Sequence, residues 1–285
     1  MKQGESVAPA RQTNAMTLDV EDFFQVAAFE GLIDPARWDS YPLRVDQNTR
    51  RVMALFAERG IKATFFLLGW VAERLPQLVR DIAAEGHELA NHGYAHARVN
   101  SQSREAFRSD IRHAKALIED LSGMAVHGYR APSYSIDVTT PWAHDEIAEA
   151  GHRYSSSVYP VRHDLYGMPD APRFPYRCSS GLTEIPITTL RLGGRNWPIG
   201  GGGYFRLLPY QLYRQALLRF NQQEKSPGLF YFHPWEIDPD QPRPAGAGFR
   251  SRFRHYLNLE RMESRVSRLL DDFHWDRMDR VFLRE

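Results

Sequence analysis

A chain of 285 residues is long enough for one large α/β domain or two small ones, and 42% hydrophobic against 25% charged residues is the balance of an ordinary globular protein. Its 36 basic and 35 acidic side chains leave a formal charge of +1, which excludes the basic field that nucleic-acid binding requires. Cys178 is the single cysteine, so no intrachain disulfide can form, and no apolar run approaches the length of a membrane span.

In chain order, Met1 to Ala15 is polar and lacks the apolar centre of a signal peptide, so a tail over residues 1–15 and a cytoplasmic location are expected. Ala15 to Val20 reads as a short buried strand ending in acids, Asp19-Val20-Glu21-Asp22. Side chains two apart on a strand share a face, which puts Asp19 with Glu21 and turns Leu18 and Val20 the other way. Three acids beside Phe23 and Phe24 are costly to bury unless they are paired or bound to a cation. Asp46 or Asn48 can cap a helix running to Gly60. Ile61 to Gly69 is then a strand buried on both faces, and a helix from Trp70 to Glu85 closes at Gly86. The next strand, His87 to Asn91, delivers His92 at its end, with His96 four residues on. On a helical turn that spacing puts both imidazoles on one face, as a pair of metal ligands requires.

Arg104 to Leu121 is an amphipathic helix, Val126 to Arg130 a further strand followed by Ala-Pro-Ser-Tyr134, and Pro141 to Ala150 a helix. Strand–helix alternation up to about residue 160 predicts a parallel sheet, with the acids, the histidine pair and Arg130 at C-terminal strand ends, where α/β folds carry their active sites. The second half is less regular. Tyr159 to Arg177 reads as a long loop, and Leu182 to Ile187 as an edge strand because it contains Pro186. The Gly200 to Gly203 cluster reads as a flexible rim and Leu212 to Phe220 as a helix. Gly228 to His233 is the last core strand, and Asn258 to Phe273 a closing helix.

Four strand ends therefore supply Asp19, Glu21 and Asp22; His92 and His96; Arg130; and His233. One acid and two histidines would complete an open three-ligand metal site. A spare aspartate could act as base, a distant histidine as acid, and an arginine beside the aspartate would orient it.

This set, in this order, resembles the NodB-type polysaccharide deacetylases of carbohydrate esterase family 4. The motifs stand here as Thr17-Leu18-Asp19-Val20-Glu21-Asp22, His92-Gly93-Tyr94-Ala95-His96, Arg130-Ala131-Pro132-Ser133-Tyr134, and Leu229 to His233. Two further stretches, Tyr154 to Gly167 and Gly201 to Arg206, resemble the subgroup linked to exosortase and exopolysaccharide gene clusters, which also carries a C-terminal extension. The resemblance implies a distorted (β/α) barrel over residues 16–239 with an extension, 240–285, packed on it. It further implies a metal-dependent N-deacetylase of an N-acetylated polysaccharide, holding zinc before other divalent ions through His92, His96 and Glu21 or Asp22. Asp19 would be the base, His233 the acid and Arg130 the tether of Asp19, with the amide after Pro132 at the oxyanion. Tyr134, Tyr204, Phe205 and Trp235 are the candidates to meet the sugar.

Two departures from the family stand out. Val20 occupies the position of the family's second, metal-binding aspartate, which moves that role to Glu21 with Asp22 as fallback. Gly93 replaces the usual Ser or Thr and removes a hydroxyl that would steady the loop. A ureide-type small-molecule amidase on the same fold and a glycan binder without catalysis are the rival readings.

Overall fold

The computed structural model of the chain describes residues 12–164 and 166–283. Most of the expected N-terminal tail lies outside them, and the first strand starts two residues earlier than expected, with β1 running from Thr13 to Val20. The chain then alternates α1 (Val45–Ala57), β2 (Thr64–Leu67), α2 (Gly69–Arg74), α3 (Pro76–Ala84), β3 (Glu88–Asn91), α4 (Arg104–Ser122), β4 (Gly128–Tyr129), α5 (Ala143–Glu149) and β5 (Tyr154–Ser155). The helix expected from Trp70 onward is two helices. Pro76 cannot donate a backbone hydrogen bond and restricts Leu75 before it, so the chain breaks there and restarts with Pro76 in the first turn.

Beyond Ser155 come β6 (Tyr176–Arg177), β7 (Thr183–Glu184), a hairpin of β8 (Thr189–Leu192) and β9 (Arg195–Pro198), α6 (Gly202–Leu207), α7 (Tyr210–Glu224) and β10 (Leu229–Phe232). The chain ends with α8 (Phe249–Tyr256), α9 (Met262–Asp272), β11 (His274–Asp276) and α10 (Met278–Phe282). Two expectations are corrected here. The segment containing Pro186 is not an edge: β7 pairs with β5 on one side and β6 on the other, and Pro186 lies past the paired residues. The glycine cluster is not a loose rim but the start of α6. A Cβ at Gly201 would come within 2.6 Å of the Tyr231 hydroxyl, and one at Gly202 within 2.3 Å of the Glu236 carboxylate.

Among the described residues the main sheet runs β10-β1-β2-β3-β4-β5-β7-β6, with β11 extending it beside the first residues of β1. Every pairing is parallel except β6 with β7, and the sheet curls into the half-barrel of a distorted α/β barrel. Its register positions the site. Val20 pairs with Leu67, Leu67 with Asn91, and Asn91 with Tyr129, while Leu18 pairs with Phe232. The next residues in each strand, Glu21, His92, Arg130 and His233, therefore emerge side by side at one end of the sheet. No described helix is long and apolar enough to cross a membrane.

Candidate metal and acid–base site

At that end of β1 the alternation of faces decides which acid does what. Val20 is buried and turned away, while Asp19 and Glu21 point together into the mouth of the half-barrel. Asp22 goes elsewhere. Its carboxylate accepts from Phe23 N at 2.9 Å, Arg44 N at 2.6 Å and Val45 N at 2.8 Å, so it caps the start of α1 from a distance. Neither Asp46 nor Asn48 does so, because the helix already begins at Val45. Burial pushes the Asp22 carboxyl up to about 6 against those backbone donors. The structure brings Glu21, and not Asp22, to the histidines.

His92 and His96 do not lie on a helical turn. The loop bends through Gly93 (φ 77°) and His96 (φ 54°), and this double left-handed bend turns the two rings toward each other, 5.4 Å between centres. The loop needs no hydroxyl at residue 93. Gly93 N donates to Asn91 Oδ1 at 2.9 Å and Tyr94 N to Asp110 Oδ2 at 3.1 Å, and a Cβ at residue 93 would meet that Asp110 oxygen at 2.9 Å. His92 Nδ1 lies 2.8 Å from the Arg130 carbonyl, which fixes the proton on Nδ1 and leaves Nε2 bare. Burial pushes that imidazole down to about 4, so it stays neutral, as a ligand must.

One ligand atom each from Glu21, His92 and His96 fits within a 4.8 Å span. Glu21 Oε2 is buried and accepts no aligned hydrogen bond although His96 Nε2 stands 2.8 Å away. A carboxylate oxygen and a ring nitrogen this close without an aligned proton between them are placed as two ligands of one cation would be. Burial pushes the Glu21 carboxyl up, but His96, His233 and His92 outweigh it and hold it at about 2.

Beside this triad Arg130, wholly buried, donates from Nη1 to Asp19 Oδ1 at 2.5 Å and to Thr17 Oγ1 at 2.9 Å, and from Nη2 to Ser156 Oγ at 3.2 Å. Its guanidinium lies over the Phe66 ring at 4.0 Å. Removing one member of such a pair strands a buried charge, at a cost of about 3–5 kcal/mol. Asp19 Oδ2 is left facing His233 Nε2 at 3.9 Å, with Glu21 Oε1 at 3.5 Å from the same nitrogen.

His233 has partners that the sequence reading missed. Its Nδ1 is 2.8 Å from Glu236 Oε1, whose other oxygen accepts from Arg206 Nε at 2.7 Å. Arg206 donates onward to the carbonyls of Arg254, His255 and Leu257. The signal was the glutamate three residues after the histidine, in a turn opened by Pro234. Burial opposes the His233 cation, yet Glu21, Glu236 and Asp19 together raise it to about 9.

These groups open into a cavity of about 680 Å³, also lined by Ser133, Tyr134, Tyr166, Tyr204 and Trp235. Ser133 stands in the left-handed region, φ 55°. Tyr204 presents the most open ring of the aromatic candidates; Tyr134 is sunk against Tyr159, Tyr166 and Tyr231. Trp235, expected to meet the sugar, lines the cavity with its ring stacked on His233 at 5.2 Å and His255 at 4.1 Å, and its Nε1 donates to Glu21 Oε1 at 3.3 Å. Phe205 is corrected, being buried against Tyr213 and Phe230.

The polysaccharide deacetylase family model matches residues 37–155, and a domain of unknown function (DUF3473) matches residues 156–283. A peptidoglycan-N-acetylglucosamine deacetylase of Bacillus cereus is 34% identical over 84 residues, covering 30% of this chain and 30% of its own. A chitooligosaccharide deacetylase of Sinorhizobium fredii is 35% identical over 103 residues, 35% of this chain and 48% of its own. The chain thus spans less than half the length of these curated relatives. Among solved structures, one from Mycobacterium smegmatis described as a polysaccharide deacetylase superposes with a TM-score of 0.60 at 19% identity, over 96% of this chain and 90% of its own. A peptidoglycan N-acetylglucosamine deacetylase structure gives 0.52 at 14% identity, over 97% and 90%. At such identities the likeness is one of fold.

Proposed function

Because the chain carries a polysaccharide deacetylase domain and so belongs to that family, we propose that it hydrolyses acetamido groups of an N-acetylated polysaccharide at the site formed by Asp19, Glu21, His92, His96, Arg130 and His233. The observation that carries this reading is the buried, unaligned Glu21 oxygen converging with two histidines beside a tethered Asp19 and His233. His92, His96 and Glu21 fit a divalent metal, zinc before others, since two neutral imidazoles and one carboxylate suit that ion. Bound there, the ion would polarise the acetamide carbonyl and acidify a water.

Asp19 Oδ2, the oxygen that Arg130 leaves free, takes the proton of the attacking water. Arg130 keeps the carboxylate aimed. The Ser133 amide, which follows Pro132, is the proposed donor to the oxyanion. His233 Nε2 gives its proton to the amine nitrogen as the C–N bond breaks, releasing acetate and a free amino sugar. Glu236 holds the opposite ring nitrogen and so fixes which face of the ring meets the substrate. Tyr134 and Tyr204 would meet the sugar faces. We further read residues 16–239 as the catalytic unit, residues 240–285 as an extension packed on it, and exopolysaccharide assembly in the cytoplasm as the setting.

The test is metal content and acetate release together. Protein purified without chelator is expected to carry one divalent ion per chain and to release acetate from N-acetylated oligosaccharides. His92→Ala with His96→Ala should abolish both. Metal retained undiminished in that double variant, or a preference of the unaltered protein for a small ureide, would overturn the reading.

A further inference from the structure

α8 forms one wall of the cavity and has an outer face that nothing described covers. Residues four apart on a helix share a face. Ser251 and His255 face inward, where the His255 ring stacks on Trp235 and lies 4.7 Å from Phe29. Phe249 and Phe253 point the other way, 83% and 50% exposed, with their rings 6.4 Å apart, so they form one ridge rather than two scattered side chains. Leu207, 49% exposed, lines the same cavity as Phe253 and continues the apolar lip. Exposed aromatic ridges of this kind mark contact surfaces.

Arg250, Arg252 and Arg254 flank the ridge, all exposed, and α8 contains no acid. Arg254 pairs with Asp164 at 3.0 Å, and nearby Glu260 with Arg261 at 3.7 Å. Arg250 and Arg252 have no acidic partner among the described residues. A second copy of the chain on this face would oppose arginine to arginine, which disfavours self-association. Aromatic rings set between unpaired arginines suit a surface that is apolar below and anionic above.

The geometry points to α8 as a docking surface for an anionic phospholipid bilayer, with Phe249 and Phe253 entering the headgroup layer and Arg250 and Arg252 meeting lipid phosphates. Because Arg250, Phe253 and Arg254 also line the cavity, docking sets the cavity mouth against the membrane, where a glycan attached to lipid would reach it. This goes beyond the proposed reaction and stands independently of it.

The test is co-sedimentation of the full chain with vesicles of phosphatidylcholine alone or of equal parts phosphatidylcholine and phosphatidylglycerol. Association is expected only with the anionic vesicles and should weaken as salt rises. Phe249→Ser should lower the association constant roughly tenfold or more, and Arg252→Ser about fivefold. Neither residue lines the cavity, so acetate release from a short soluble oligosaccharide should not change in either variant. Equal association with both vesicle types, or none at low salt, overturns the proposal. So does a Phe249→Ser variant that changes oligomeric state by light scattering while vesicle binding is unmoved. The vesicle readings need no turnover, so failure of the deacetylase reading would show separately, as absent acetate release.

Discussion

Up to Ser155 the chain is a run of short βα units whose strands end one after another at the same level, and beyond it the alternation breaks and two strand pairs, β6 with β7 and β8 with β9, are antiparallel. The first region supplies Asp19, Glu21, His92, His96 and Arg130 directly from strand ends and the loop after β3. The second supplies a single reacting group, His233, together with the apparatus that holds it and most of the cavity wall. Parallel strands in register can bring ligands together with few supporting contacts. His233 instead rests on Glu236, Arg206 and Gly202, and the rim on α8 and the Tyr166 and Tyr204 rings. The lesson is that the first region is organised around where atoms must be, and the second around how one atom is held and what can reach it.

If that division is right, the largest effect belongs to the first region. Asp19→Asn should lower acetate release about a hundredfold or more while metal content stays at its starting level, since Asp19 is outside the ligand triad. The same change leaves the buried Arg130 cation without its carboxylate, so stability should fall by about 3 kcal/mol and turnover must be read well below the lowered melting temperature. Near-normal turnover in that variant would remove Asp19 from the reaction.

Next in size is the support of His233. Glu236→Gln should lower kcat about tenfold with KM and metal content little changed. Glu236 is one of the groups that raise His233 to about 9, so without its charge the imidazole loses its proton at lower pH. An acid must be protonated to act, and the alkaline limb of the rate profile should therefore move to lower pH. Gly202→Ala should act the same way, because a Cβ there lands 2.3 Å from the Glu236 carboxylate. An unmoved alkaline limb in both variants would make Glu236 a structural residue only.

What could be read from the sequence follows the same division. The alternating pattern exposed the parallel sheet, and the strand-end residues announced the site because regular register needs only local rules. Asp22 could not be assigned from its neighbours, since its role is set by backbone amides of Arg44 and Val45, more than twenty residues away. The glycine cluster reads as a loose rim for a similar reason: Gly201 and Gly202 answer to Tyr231 and Glu236 across the fold, and no local pattern reports a missing Cβ's neighbour. Phe205 reads as a sugar platform because aromatic type is visible in sequence while burial is not.

The smallest expected effect on turnover tests how the first region keeps its ligand loop in place. His152, buried behind β3, has Nδ1 at 3.1 Å from the Ile147 carbonyl and Nε2 at 3.2 Å from Asn91 Nδ2. The carbonyl fixes the proton on Nδ1, so Nε2 accepts from Asn91, whose Oδ1 in turn receives Gly93 N in the loop between the two histidines. Protonating Nε2 would set one donor against another. Burial accordingly holds the imidazole down at about 4 against its ordinary 6.5. The unfolded chain binds the proton more readily, so this contribution to stability is complete above pH 6.5 and is lost as pH falls toward 4, by at most on the order of 3 kcal/mol. His87, held at about 4 by burial, adds a similar slope. His152→Leu should therefore cost about 1–2 kcal/mol at pH 7, where it leaves an Asn91 N–H without its acceptor, and change turnover there by no more than about twofold. Between pH 7 and pH 4.5 (urea melts at each) the variant should lose distinctly less stability than the unaltered chain. Equal losses in the two proteins would mean that His152 is already protonated in the fold, and the link from β5 through Asn91 to the ligand loop would have to be redrawn.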